Sequence, residues 1–403
     1  MAVDVFFNPN VPSYVPDDLV HDYNVYDYEG RDPFEVMHKL HIDDVPEIFW
    51  TRHNGGHWIA SRSAAITEVA MDTVNFSSER QQVPDHQNVD EPFFLPLVLD
   101  PPVHSQYRQL VAPFFMPNQI SKLQQSLRKS ADNLISDILA KGECEFVADF
   151  AAQMPVLMFL DLLDLPHADR LELLEIASAV IKPDEGEHRS NPLDRLFDYV
   201  RPIIEQRRAM PGDDVISQLV QKRIDGSLVD FEKLVRLTAT LLLGGLDTVT
   251  ASLTFLAAHL AHDPTLRLRL LKNPELISAT VEESLRRFPP ASPGRIVRER
   301  CVLRGVQFMP GDHLVWATGM FNFDDKIHDD PMAFSIDRKR APHATFGVGV
   351  HFCIGAFLAR LEMKIFLERW INSIPQFRIK SDALLRHRVG ITIALEDLPL
   401  VIN

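Results

Sequence analysis

The chain has 403 residues, 46% apolar, 9% aromatic and 24% charged, a composition that belongs to globular proteins and excludes disordered and fibrous classes. A formal net charge of −15 argues against nucleic acid or an anionic membrane as the main partner, because both reward clustered Lys and Arg. Cys144, Cys301 and Cys353 are far apart and form no CxxC pair, so neither a disulfide framework nor a Cys-rich zinc site is indicated and a reducing, cytoplasmic setting fits best.

The N-terminal run Met-Ala-Val-Asp-Val-Phe-Phe-Asn-Pro has no basic segment leading into an apolar one, so no secretory signal or anchor is expected. Residues 47–52 and 56–62 flank His53-Asn54-Gly55, and Asn-Gly between apolar runs predicts a hairpin. From about residue 117 to 281 apolar positions recur three and four apart, with breaks at Pro166, Pro183 and Pro211-Gly212, which predicts a largely helical middle third. Within it, residues 237–261 are apolar enough to raise a transmembrane question. Asp247 sits at their middle, where an ionised group costs about 2.5–3.5 kcal/mol on insertion scales, so a helix through a protein core is expected instead. Gly244-Gly245 are poor helix formers, each about 1 kcal/mol worse than alanine; they either open the backbone there or let another helix approach.

Strand signals return at residues 301–304 and 306–308, at 313–318 after the Pro310-Gly311-Asp312 turn, and at 390–395. With no linker composition or repeat to divide it, the chain reads as a single large domain over residues 1–403, mainly α with a minor β portion.

The most informative segment is Phe346-Gly-Val-Gly-Val-His-Phe-Cys353-Ile-Gly355, followed by a helical pattern. A cysteine at a helix N-terminus meets backbone N–H donors and partial positive charge, which lower its pKa and suit it to bind metal. Glycines at 347, 349 and 355 let backbone pass close to a flat object, and one lone sulfur offers a single axial bond rather than a tetrahedral cage. Upstream, Glu283 and Arg286 form an i,i+3 pair on a helix stopped by Pro289-Pro290.

Taken with the Gly244-Gly-Leu-Asp247-Thr248 segment, these motifs resemble those of the cytochrome P-450 family. Its signatures are a Glu-x-x-Arg helix, a Phe-x-x-Gly-x-x-x-Cys-x-Gly haem loop and an acid-alcohol pair in a long central helix. Here they are met by Glu283 and Arg286, by Phe346, Gly349, Cys353 and Gly355, and by Asp247 and Thr248. The resemblance extends over essentially the whole chain to the soluble bacterial camphor hydroxylase group. Asn54-Gly-Gly-His-Trp-Ile-Ala, Phe76-Ser-Ser-Glu, Asp100-Pro-Pro, Ile204-Glu-Gln-Arg-Arg, Leu242-Leu-Gly-Gly-Leu-Asp-Thr-Val and Gly294-Arg295-Ile carry it.

That resemblance implies a cytochrome P-450 fold with haem b (iron protoporphyrin IX) between the central helix and the cysteine-loop helix, and Cys353 as its axial thiolate. It implies that Thr248 and Asp247 deliver protons, that Gly244 and Gly245 leave room over the haem, and that Lys182 pairs with Asp247. His104, Arg108, Arg295 and His351 would hold the propionates; His104 stands where the camphor enzyme has glutamine. Electrons would come from a [2Fe–2S] ferredoxin, itself reduced by a ferredoxin reductase, steered by Arg338-Lys339-Arg340 and Arg108.

The substrate pocket maps to Phe93, Phe94, Leu97, Thr240, Leu243, Gly244, Ala291 and Ile391. The camphor enzyme's substrate-binding tyrosine is replaced by Pro92, a lost donor unless Gln81, Gln82 or His86 restores it. Camphor is therefore expected to fit poorly, and a terpenoid, norisoprenoid or alkyl aromatic to fit better. The expected activity is monooxygenation of a small hydrophobic substrate with dioxygen. A haem-thiolate binding or sensing protein without turnover is the alternative, and the acid-alcohol pair speaks against it.

Overall fold

The computed structural model describes residues 7–28, 30–43, 45–84, 94–181 and 192–402. His86, Pro92, Phe93, Lys182 and Pro183 lie outside them. Asn54, Gly55 and Gly56 all have positive φ, at 52°, 87° and 87°, and they turn β1 (Ile48–Thr51) back on β2 (His57–Ala60) in the antiparallel register Ile48↔Ala60 to Thr51↔His57. The strands that matter for the site are then β3 (Phe76–Ser77), β4 (Gly294–Val297), β5 (Cys301–Leu303), β6 (Val306–Phe308) and β7 (His313–Val315). Five of these make one sheet in the order β1-β2-β7-β4-β3, with β7 parallel to β2 and antiparallel to β4. The N-terminal hairpin thus shares a sheet with strands more than 200 residues later, sealed by the fully buried Trp58, Ile59, Leu314 and Val315. The Trp58 indole N–H donates to Asp312 at 2.9 Å.

The β5–β6 hairpin forms as expected, because Arg304 and Gly305, at φ 51° and 84°, supply the two left-handed positions of a tight turn. Two strand expectations were too long. After Val315 the chain enters a short helix, Thr318–Asn322. Of the run 390–395 only Ala394–Leu395 is strand (β9), paired with β8 (His387–Arg388). Residues 390–393 turn their hydrogen bonds elsewhere: Ser292 N donates to Ile391 O at 2.9 Å and Ile393 N to Pro290 O at 2.7 Å.

Five helices border the candidate site: α1 (Val103–Val111), α2 (Phe231–Gly244), α3 (Leu246–His262), α4 (Ile277–Arg287) and α5 (Ala356–Ser373). Helices α2 and α3 occupy the apolar stretch read above. It is the one helical span among the described residues long and apolar enough to cross a membrane, and it is mostly buried inside the protein. It is broken at Gly245, where a Cβ would lie 2.6 Å from the Phe159 ring, whereas a Cβ at Gly244 would meet nothing within 4 Å. The two readings of the glycine pair are divided between its members: Gly245 admits the neighbouring helix Gln153–Leu163, and Gly244 leaves open space. Past the break, Thr250, Ser252 and Thr254 donate back to the carbonyls of Leu246, Thr248 and Thr250 at 2.6, 2.9 and 2.7 Å, a pattern that favours bending.

Candidate active site

The cysteine loop is shaped by backbone. Gly347 and Gly349 have φ of 75° and 76°, and a Cβ on Gly349 would sit 2.7 Å from the Ala70 carbonyl oxygen, so only glycine fits there without displacing main chain. Cys353 N donates to Phe346 O at 2.7 Å, and α5 begins three residues later. Cys353 keeps accessible surface. The helix terminus does not lower its pKa as expected. Burial pushes the Cys353 thiol up, against the Gly355 N–H and the Arg108 and Arg360 guanidinium groups. A coordinated metal ion supplies the charge that deprotonates such a thiol.

The predicted anion-binding residues come together on one wall. The rings of His104 and His351 pack with centroids 4.2 Å apart, Ser78 Oγ lies 2.9 Å from His351 Nε2, and Arg108 donates to Phe352 O in the cysteine loop. Burial, then Arg295 and the neighbouring His104 and Arg108, pushes His351 down to about 3. Burial likewise lowers His104 and brings Arg295 to about 10. The Asp100 carboxylate is already bound by Ser77 Oγ, Ser78 N and Arg298, at 2.5, 3.0 and 2.7 Å. His104 Nδ1 and Arg295 Nε are buried without a partner, a state that costs about 1–3 kcal/mol per group unless an acceptor arrives. A flat anionic group beside the Cys353 sulfur fits this donor set, as the propionates of a haem would.

Two adjacent glutamates of α4 brace the loop from behind. Glu283 is no surface residue. It accepts from Arg286 at 2.8 and 2.8 Å, from Ser335 N at 2.7 Å and from Arg338 at 3.1 Å. Both members of the Glu283–Arg286 pair are almost fully buried, and Arg286 also donates to the carbonyls of Pro331 and Ala333 at 2.6 and 2.8 Å. Arg338 is thereby withdrawn from the basic run expected to steer a partner, its remaining donors going to the Asp329, Asp330 and Ala333 carbonyls; Lys339 and Arg340 stay exposed. Glu282 accepts from Arg360 at 2.6 and 2.9 Å and faces His343 Nε2 at 3.3 Å. Burial would raise its carboxyl, but His343 and Arg360 hold it down at about 2.

On the opposite side, at the helix break, Thr248 Oγ1 donates to Gly244 O at 3.3 Å. The carboxylate of Asp247 accepts from Arg388 of β8 at 2.5 Å, a partner missed in the sequence, where Lys182 was expected. Ala291 and Ile391 come together through the bridge of Ala291 with Thr392. Thr240 lies one turn before Gly244, its hydroxyl taken up by Arg236 O at 2.8 Å. Leu243 lines an apolar cavity with Val156, Phe159, Leu173, Leu242 and Leu246. Phe94 is half-buried, and Leu97 is exposed, its carbonyl accepting from the Gln81 amide at 3.0 Å.

A model of the cytochrome P-450 family matches residues 117–381. The mycinamicin IV hydroxylase/epoxidase of Micromonospora griseorubida is 33% identical over 290 residues, 70% of this chain and 73% of its own. The erythromycin C-12 hydroxylase of Saccharopolyspora erythraea is 32% identical over 365 residues, 86% of this chain and 89% of its own. The crystal structure of CYP101J2 matches with a TM-score of 0.90 at 35% identity, covering 98% of this chain and 99% of that one. That of CYP101C1 matches with a TM-score of 0.90 at 32% identity, covering 98% and 100%. Because the family match runs unbroken through the helix break, the buried Glu283–Arg286 pair and the cysteine loop, the chain belongs to the cytochrome P-450 family.

Proposed function

We propose that this monooxygenase hydroxylates a small hydrophobic molecule, a terpenoid, norisoprenoid or alkyl aromatic, with electrons from a [2Fe–2S] ferredoxin, and that it does so in the cytoplasm as a single domain. Haem b, the cofactor of the family, activates dioxygen when bound. Cys353 is the iron ligand, and His104, Arg108, Arg295 and His351 hold the propionates. Thr248, whose hydroxyl makes only a long 3.3 Å bond to Gly244 O, can release it to offer a proton from the open side of the helix, and Asp247, tied among the described residues by Arg388, exchanges protons with the exterior.

The observation that carries the reading is the acid-alcohol pair at the break beside Gly244, where an added Cβ would meet nothing within 4 Å. A haem protein that only binds or senses has no use for a proton relay. Substrate preference rests on what the lining lacks. The Thr240 hydroxyl and the Gln81 amide are both taken up by backbone carbonyls, so neither of these described residues restores the donor lost at Pro92, which favours selection by shape over polarity.

The test is a spin-state titration of camphor and an ionone-type ketone side by side, followed by product analysis with ferredoxin and its reductase. The ionone should bind tighter and yield a hydroxylated product. Tight, fully high-spin camphor binding with a single product would overturn the substrate reading. Ferredoxin support is expected to weaken severalfold in Arg340→Glu and to fall steeply with salt, since the Debye length is about 8 Å at physiological ionic strength.

A further inference from the structure

The Glu282–Arg360 pair is half-exposed, with side chains 38% and 25% accessible. Pairs of that kind contribute little to stability, typically about 0–1 kcal/mol. Its geometry is nevertheless closely fixed. Arg360 makes a two-pronged bond to Glu282, donates to Ala356 O at 3.3 Å and lies over the Phe346 ring, 4.5 Å from its centroid. Phe346 is the residue whose carbonyl accepts from the amide of Cys353. The guanidinium is thus held by α4 and α5 against the aromatic ring of the loop residue that positions the cysteine.

We propose that Arg360, pinned by Glu282 and stacked on Phe346, is a positioning residue that places a fixed positive charge behind the Cys353 thiolate and thereby sets the reduction potential of the haem. This rests on Cys353 being the haem ligand. Glu282 offsets part of the charge, but the Arg360 end of the pair is the one that acts on the Cys353 sulfur, and that cationic end favours the state with one more electron and so raises the midpoint potential. Arginine suits the task because its planar fork binds a carboxylate with two bonds while its face stacks on a ring; lysine keeps the charge but has no such fork.

The experiment measures midpoint potentials of the purified haem protein without ferredoxin, so that docking does not enter. Arg360→Gln should lower the potential, and Arg360→Lys should restore most of the difference although it loses the fork as completely. Lys364→Gln, one helical turn further from Cys353 on α5, should shift it far less. The carbon monoxide complex of every variant should keep the red-displaced band of thiolate ligation. Equal potentials in Arg360→Gln and Arg360→Lys would make the pair merely structural. An equal fall in Lys364→Gln would reduce the effect to general surface charge. Loss of the thiolate band in Cys353→Ser alone leaves the assignment of the ligand standing. A wild-type spectrum without that band would overturn the ligand itself, a failure separate from an unmoved potential.

Discussion

The two sides of the site are built on opposite plans. Behind the cysteine loop one charged cluster is densely bonded: Glu283 accepts four bonds, and Arg286 and Arg338 reach five backbone carbonyl groups between them. Across the site, among the described residues, Asp247 has a single arginine partner and the Thr248 hydroxyl one long hydrogen bond. Buried charges with full sets of partners fix one geometry, because moving any member strands the others in a medium of low polarity. Groups that must exchange protons and accommodate changing ligands need the reverse, partners that are few and replaceable. On the proposed assignment, cofactor holding and proton delivery ask for different bonding densities, and the two fall on different helices.

The sharpest way to break that contrast is Glu283→Ala. Removing one member of a buried pair strands Arg286 and Arg338, so a loss of about 3–5 kcal/mol in unfolding free energy is expected, seen as a lower urea midpoint and poor haem retention. A variant of nearly wild-type stability would show that the dense side is not dense where it counts. The sparse side should respond in kinetics alone. Thr248→Ala is expected to divert reducing equivalents into peroxide, and Asp247→Asn to slow turnover by about 10²-fold, both with unfolding midpoints and substrate spin shifts close to wild type. Product yield per NADH, measured beside a urea melt, checks this; a matching drop in stability would erase the distinction.

The smallest effect concerns pH. Glu282 ionises near 4.5 in an unfolded chain and near 2 in the folded one. Its contribution is therefore fully present above about pH 4.5 and is lost as the pH falls toward 2. Thermal midpoints taken between pH 5 and 3 should fall less steeply in Glu282→Gln than in wild type, whose curve carries the additional protonation.

Much of this was legible because the informative residues are contiguous. The Phe346 to Gly355 loop, the Glu283–Arg286 spacing and the Asp247-Thr248 pair announce themselves within a few positions, and the Asn54-Gly55 turn is dictated by its own backbone needs. What escaped is long-range charge pairing. Arg338 meets Glu283 across 55 positions, Arg360 meets Glu282 across 78 and Arg388 meets Asp247 across 141. An arginine in a basic run looks solvated until the fold shows which carboxylate lies opposite. Strand ends at 315 and 394 were overrun for a related reason: an apolar run does not say where hydrogen bonding leaves one partner for another.

The C-terminal turn at Ile391 is fastened to residues 290–292 by main-chain atoms, through Ser292 N to Ile391 O and Ile393 N to Pro290 O. Side chains at 291 and 391 take no part in those bonds, and Ile391 is 52% accessible. A library varied at these two positions should therefore yield folded proteins at high frequency. On the proposal that both positions line the substrate pocket, repertoire could drift there by single replacements without dismantling the scaffold, and this turn becomes the natural place to redirect the enzyme toward new molecules.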